Sequence, residues 1–200
     1  MLLYAITDRR SRPDLQPEEM VDRLVRSGAD MIQIREKDLS PRLLLPLVAR
    51  AVAARSAEVF VSARADVALG AGAGGVHLPS AGLPVALVKA RFGDSLRVGA
   101  STHSLEGALA AQAAGADLVV FGPVYETESK RTYGPPLGVA RLAEVVAALH
   151  IPVFAIGGID ETHMPELVRA RVAGAAVISA ILRAPDMARA VSRLRAGAAR

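Results

Sequence analysis

The sequence predicts a single (β/α)8 barrel, the TIM-barrel class, as one domain spanning all 200 residues. Three observations predict it. Short apolar runs alternate regularly with helical patterns, which argues for a parallel sheet covered by helices. The runs are continuously apolar rather than alternating, as expected for strands buried on both faces. Eight such units of about 25 residues fit the small end of the barrel range. The rival is a doubly wound open sheet. Against it, no G-x-G-x-x-G follows the first strand, and the glycine-rich stretch Gly70–Gly75 precedes a strand instead of joining strand to helix.

The predicted strands are Leu2–Thr7, Met31–Arg35, Val59–Ser62, Gly75–Leu78, Leu96–Ala100, Leu118–Phe121, Val153–Ile156 and Ala176–Ser179. Between them, Met20, Val21, Leu24 and Val25 fall on one face of a helix over Glu18–Ser27. Ser40 can cap the next helix, with Pro41 at its first position. Helical patterns also cover Asp66–Ala71, Pro84–Phe92, Ser104–Ala114, Val139–Leu149 and His163–Val172, and a last helix follows the eighth strand. The polar stretch Gly122–Gly138 is the longest irregular segment. It follows the sixth strand, on the face where barrel sites lie, and reads as a lid.

Composition narrows the function. Hydrophobic residues make up 52% of the chain but aromatics only 4%, so the core is built mainly from Ala, Val, Leu and Ile. There is no cysteine, which excludes disulfides, thiolate-held metals and a thiol nucleophile. The N-terminal apolar run is too short for a signal segment, and nothing approaches the length of a membrane span. A cytoplasmic protein is expected, with no membrane partner. The net charge of +4 raises nucleic-acid binding. The basic residues are scattered, however, and no aromatics are interleaved for base stacking, so no nucleic-acid partner is expected.

Barrel chemistry is assembled at the C-terminal ends of the strands. Gly157 and Gly158 after strand seven and Ser179 after strand eight match the phosphate site of this fold, where unpaired backbone N–H groups meet a helix N-terminus. Gln33, Arg35 and Lys37 alternate along strand two and therefore share a face, suited to phosphate or carboxylate. His77 and His103 end strands four and five. Each is either a general acid or base or a core histidine bonded to backbone. His150 and His163 read as surface residues. Asp8 and Glu36 are the only obvious carboxylates for a metal, and no metal site is assigned.

These residues occur in motifs that resemble the thiamine phosphate synthase/TenI family over essentially the whole chain. The motifs are YAITD at Tyr4–Asp8, IQIREKD at Ile32–Asp38, VSARADVAL at Val61–Leu69 and GVHLPS at Gly75–Ser80. GASTHS at Gly99–Ser104, FGPVYETESK at Phe121–Lys130, IPVFAIGGI at Ile151–Ile159 and VISAI at Val177–Ile181 complete the set. The resemblance implies a barrel of thiamine biosynthesis. Its synthase members join a hydroxymethylpyrimidine diphosphate to a thiazole phosphate and release pyrophosphate, using magnesium. It further implies that Gln33, Arg35 and Lys37 face the diphosphate, that Ser101, Thr127, Ser129 and Lys130 lie near the reacting groups, and that Gly158, Ile178 and Ser179 hold the thiazole phosphate.

Two departures shape the expectation. Where synthases typically carry N-D-R after strand three, this chain has Ser62, Ala63 and Arg64; where they carry G-Q-x-D after strand four, it has Pro79, Ser80, Ala81 and Gly82. Ser62 would take over the diphosphate contact. The chain contains no asparagine at all, which accounts for Ser62 but not for two missing acids. H-L-P-S and Y-E-T look like the TenI branch, which implies a metal-free thiazole tautomerase with a small phosphorylated thiazole as ligand. That branch uses a histidine just after strand six, where this chain has Pro123. His103, Glu126 and Lys130 are then the candidate acid–base residues. The expectation is thus a tautomerase without cofactor. The alternatives are a magnesium-dependent synthase and a non-catalytic phosphate-ligand-binding regulator, and a homo-oligomer is left open.

Overall fold

Hydrogen bonding between the first and last strands decides between ring and open sheet. The computed structural model describes residues 1–127 and 135–199. In it, β1 (Leu2–Ile6), β2 (Met31–Ile34), β3 (Glu58–Ser62), β4 (Gly75–Leu78), β5 (Arg97–Thr102), β6 (Leu118–Phe121), β7 (Val153–Ile156) and β8 (Gly174–Val177) are parallel and paired in chain order. The ring closes through β1 and β8, with Leu2 opposite Gly174 and Ala5 opposite Val177. This is the predicted (β/α)8 barrel.

The helices are α1 (Pro17–Val25), α2 (Pro41–Ala53), α3 (Ala65–Ala71), α4 (Val85–Phe92), α5 (Leu105–Ala113), α6 (Gly138–Ala148), α7 (Met164–Arg169), α8 (Ser179–Leu182) and α9 (Met187–Ala198). Local chemistry sets their starts. Pro17 and Pro41 occupy the first turn of α1 and α2, where a missing N–H costs nothing. Ser104 Oγ accepts the Gly107 N–H at 3.0 Å at the head of α5, and Asp186 accepts that of Arg189 at 3.0 Å at the head of α9. Helices pack their apolar stripes on the outward faces of the strands; α1 does so with Met20, Val21 and Leu24.

Inward side chains follow the two-residue strand period. Tyr4, Met31, Phe60, Leu118, Val120, Phe154 and Ala176 form a separate buried cluster inside the ring. Tyr4 meets Phe60 and Phe154 edge to face, with ring centroids 5.8 and 5.7 Å apart. Three inward glycines make room for this layer. A Cβ on Gly75 would lie 2.3 Å from Phe60 Cε1, one on Gly174 would lie 2.4 Å from Phe154 Cε1, and one on Gly99 would lie 2.6 Å from His77 Nδ1. At the opposite end from the strand C-termini, Arg97 pairs with Glu58 at 2.7 Å and lies 5.8 Å above the Phe60 ring.

This packing explains one boundary that differs from the sequence reading. The eighth strand begins at Gly174, two residues before the predicted start, and Ser179 already belongs to α8. Glycine is a poor strand residue by propensity, yet here only glycine fits between Phe154 and the Leu2 carbonyl. The predicted last helix divides into α8 and α9 around Pro185. No helix among the described residues is long and apolar enough to cross a membrane. Gly174→Ala should overpack the ring and destabilise the protein by about 2–3 kcal/mol. Chemical denaturation against the wild type checks this.

Candidate active site

The upper layer of the ring, at the strand C-termini, holds the polar residues. Gln33 is buried on β2, paired in register with Phe60 of β3 and therefore inward. Ser62 ends β3 half-buried, opposite His77 of β4. His77 is 4% exposed, and its Nε2 lies 2.8 Å from Ser101 Oγ, one inward position above Gly99 on β5. Burial, reinforced by the positive charge of Arg35, pushes the His77 pKa down to about 4. The ring is therefore neutral at ordinary pH.

The β1 and β2 ends are bound together. Thr7 Oγ1 accepts the Arg35 N–H at 2.8 Å, and both Glu36 carboxylate oxygens accept the Arg9 N–H at 3.2 Å. Burial raises the Glu36 pKa, partly offset by hydrogen bonds from Thr7 and Arg9. Arg9 and Arg10 pair with Asp38 at 2.5 and 3.2 Å, and Arg64 pairs with Asp66 at 2.8 Å. Arg35 differs from these: it is half-buried, and its side chain has no carboxylate partner among the described residues. β2 ends at Ile34, so Arg35 and Lys37 lie beyond the strand, and the expected alternation of Gln33, Arg35 and Lys37 on one strand face does not extend to them; Lys37 is exposed.

The β6–β8 ends form the second group. Gly157 and Gly158 have φ of 101° and 67°, and a Cβ on Gly158 would lie 2.3 Å from the Glu126 carbonyl oxygen. Both positions therefore require glycine. Ser179 and Ala180 open α8, so their N–H groups have no intrahelical acceptor. Ile156 and Ile178 are half-buried against the interior cluster and supply an apolar wall beside them. Arg12 donates to the Leu182 carbonyl at 2.8 Å and pins α8 to the segment after β1.

Three contacts were not legible in the sequence. His163, read as a surface residue, stacks on Tyr125 with centroids 3.9 Å apart and pairs with Asp160 at 2.9 Å. Tyr125 donates to Glu166 at 2.9 Å, and burial, with Glu166 beside it, raises its pKa. These contacts fasten the segment after β6 to α7. No motif announced them, because they depend on the tertiary approach of two loops. Thr7 was likewise passed over as a strand end.

The candidate acid–base residues separate. His103 is exposed, and its Nδ1 donates to the Gly122 carbonyl. Glu126 is exposed and Thr127 half-buried at the root of the expected lid, while Ser129 and Lys130 lie outside the described residues. The magnesium of the synthase members does not fit the described residues. Ala63 offers no oxygen ligand, and its N–H donates to the His77 carbonyl at 2.8 Å. Pro79 to Gly82 form a turn closed by a 2.8 Å backbone bond and contain no acid. Among the described residues no three acidic, histidine or cysteine side chains converge.

Comparison with known proteins then identifies the family and corrects the activity. The family model "Thiamine monophosphate synthase" (TMP-TENI) matches residues 3–181. A thiamine-phosphate synthase of Anaeromyxobacter dehalogenans is 46% identical over 84% of this chain and 77% of its own. One of Chlorobium luteolum is 40% identical over 98% and 92%. The solved thiamine phosphate pyrophosphorylase of Pyrococcus furiosus superposes with a TM-score of 0.88 at 35% identity, covering 99% of this chain and 95% of its own. A 3-hexulose-6-phosphate synthase, at 21% identity and a TM-score of 0.76, shares the fold alone.

The expected thiazole tautomerase, an isomerase, is therefore corrected: the named relatives are synthases, which are transferases. The physical reason is visible at β2. A tautomerase has no diphosphate to hold, yet this chain retains Gln33 and an Arg35 without a carboxylate partner among the described residues. The proton-transfer role given to His103, Glu126 and Lys130 falls with that activity.

One stability prediction follows from His77. In the unfolded chain the ring takes a proton near pH 6.5, whereas in the native state it does so only near pH 4. Between these values the unfolded state binds more protons, so stability falls as pH falls, by up to about 3 kcal/mol. His77→Gln should flatten this part of the profile, measured by denaturant unfolding from pH 7 to pH 4. The chain belongs to the thiamine monophosphate synthase (TMP-TENI) family.

Proposed function

We propose that this protein joins a pyrimidine diphosphate to a thiazole phosphate and releases pyrophosphate. The bond from the pyrimidine side-chain carbon to the diphosphate oxygen breaks, and its electron pair leaves with pyrophosphate. The thiazole nitrogen then forms the new bond to that carbon. The observation that carries the reading is Arg35. Neighbouring Arg9, Arg10 and Arg64 are each neutralised by a carboxylate, while Arg35 has none among the described residues. A half-buried guanidinium of this kind suits an anionic ligand group.

In this reading Arg35 and Lys37 attract the charge that builds on the departing diphosphate, with Gln33 and Ser62 as neutral hydrogen-bonding partners. Gly157, Gly158, Ser179 and the adjacent N–H groups hold the thiazole phosphate, and Ile178 packs on the ligand. Holding both substrates on one barrel end turns their encounter into a step within a single complex. Ser101, Thr127, Ser129 and Lys130 are assigned near the reacting groups by family resemblance. The names of the relatives support the same reaction.

The test is pyrophosphate release from purified protein given pyrimidine diphosphate and thiazole phosphate, separately and together, with magnesium and with chelator. Release is expected only with both substrates present, and none under any condition would overturn the proposal. Arg35→Met should lower kcat/KM for the pyrimidine diphosphate about 100-fold or more, with KM for the thiazole phosphate within about threefold. Gly158→Ala should instead raise KM for the thiazole phosphate, and it should destabilise the fold by about 1–3 kcal/mol.

A further inference from the structure

His77 is a buried histidine that the proposed reaction leaves without a task. Its surroundings restrict it more than a packing role requires. The ring lies inside the barrel, 6.3 Å from the Tyr4 ring centroid and edge-on to it. Its Nδ1 is buried, has no hydrogen-bond partner among the described residues and faces Gly99, where a Cβ would approach to 2.6 Å. Its Nε2 has one hydrogen-bond partner among the described residues, Ser101 Oγ at 2.8 Å. Glycine at position 99 thus opens the space that lets the ring reach up one layer to Ser101.

The proton on a neutral imidazole sits on one nitrogen only. On Nδ1 it would be an orphaned N–H in an apolar interior, a rare and costly arrangement. On Nε2 it is satisfied by Ser101 Oγ, and Nδ1 keeps only a bare lone pair. The Nε2–H form is therefore favoured, and Ser101 Oγ accepts from it. A hydroxyl that accepts from a fixed donor still has its own proton to give. Ser101 is half-buried, has no other hydrogen-bond partner among the described residues and lies at the open end of the ring.

We infer that His77 is a positioning residue: as a neutral Nε2–H donor it commits the Ser101 hydroxyl to donate its proton to a substrate atom that can only accept. The partner chemistry is an aromatic ring nitrogen or a phosphoryl oxygen, and both occur in a pyrimidine diphosphate. The inference rests on the synthase reading for the identity of that substrate and on geometry alone for the tautomer. It also explains why a histidine is kept in a position where an apolar side chain would pack without a desolvated nitrogen.

The test is a double-mutant cycle combined with a measurement that needs no activity. His77→Leu fills the volume without a donor, and His77→Gln offers an amide N–H at the place of Nε2. The leucine variant should lower kcat roughly 10- to 100-fold, with KM for the thiazole phosphate within about threefold, and glutamine should restore kcat to within about fivefold of wild type. In a Ser101→Ala background, His77→Leu should cost less than about twofold more, because its target is gone.

A merely structural histidine would give the same factor in both backgrounds, and glutamine would not rescue it. Either result overturns the inference. Nitrogen-15 spectra of the wild-type imidazoles, assigned by loss of one ring in His77→Gln, should show His77 protonated at Nε2 and bare at Nδ1; the opposite tautomer overturns the inference even if the leucine variant fails to fold. Wild-type protein that releases no pyrophosphate would overturn the synthase reading instead. The spectrum then decides the His77–Ser101 geometry by itself.

Discussion

The interior of an eight-stranded ring is just wide enough to be filled by side chains, and every other feature of this molecule depends on how it is filled. Here three large rings, Tyr4, Phe60 and Phe154, occupy the middle layer; Gly75 and Gly174 give way to Phe60 and Phe154, and Gly99 gives way to His77 above them. Only 4% of the chain is aromatic, so a large share of its few rings is spent on this layer. Large rings against bare backbone leave no freedom of register. They fix the height of each strand in the ring, and so the height at which Gln33, Ser62, His77 and Ser101 emerge above the aromatic layer. The polar floor of the site is the roof of the aromatic core.

Electrostatics at the mouth follow from what that floor leaves exposed. On the side of β1 to β3 the acids Glu36, Asp38 and Asp66 are tied to arginines or to backbone N–H groups. Arg35 has no carboxylate partner among the described residues, and in the proposed reading its charge serves a ligand. On the side of β6 to β8 the donors are backbone N–H groups of a left-handed glycine pair and of the first turn of α8. One half of the mouth uses side-chain charge and the other uses backbone geometry. In the proposed reading, two anionic groups of different size are thereby held without competing for the same donors.

How much of this was legible in the sequence varies with how local the cause is. The barrel was, because strand and helix alternation is a local pattern repeated eight times. The glycine turn at Gly157 and Gly158 was legible because a left-handed backbone pair has a short chain signature, and the phosphate assigned to it and to Ser179 remains part of the proposal. Gly174 was left out of its strand, since its reason is the Phe154 ring arriving from the neighbouring strand. His163 and Tyr125 were missed for the same cause: their partnership is made only when two loops meet. The activity was misassigned at Ala63 and Gly82. Losing a carboxylate shows which interaction is absent and not which reaction remains, and the correction came from the synthases that the chain is similar to.

The central claim is that one barrel mouth holds two separate anionic groups at once. Calorimetric titration of thiazole phosphate into protein alone, and into protein already saturated with inorganic pyrophosphate, tests it most directly. The account predicts one site for each ligand, with thiazole phosphate affinity little changed by bound pyrophosphate. It also predicts that Arg35→Met abolishes only the pyrophosphate isotherm. Mutually exclusive binding, or loss of both isotherms in that variant, would mean a single shared anion site and would contradict the account.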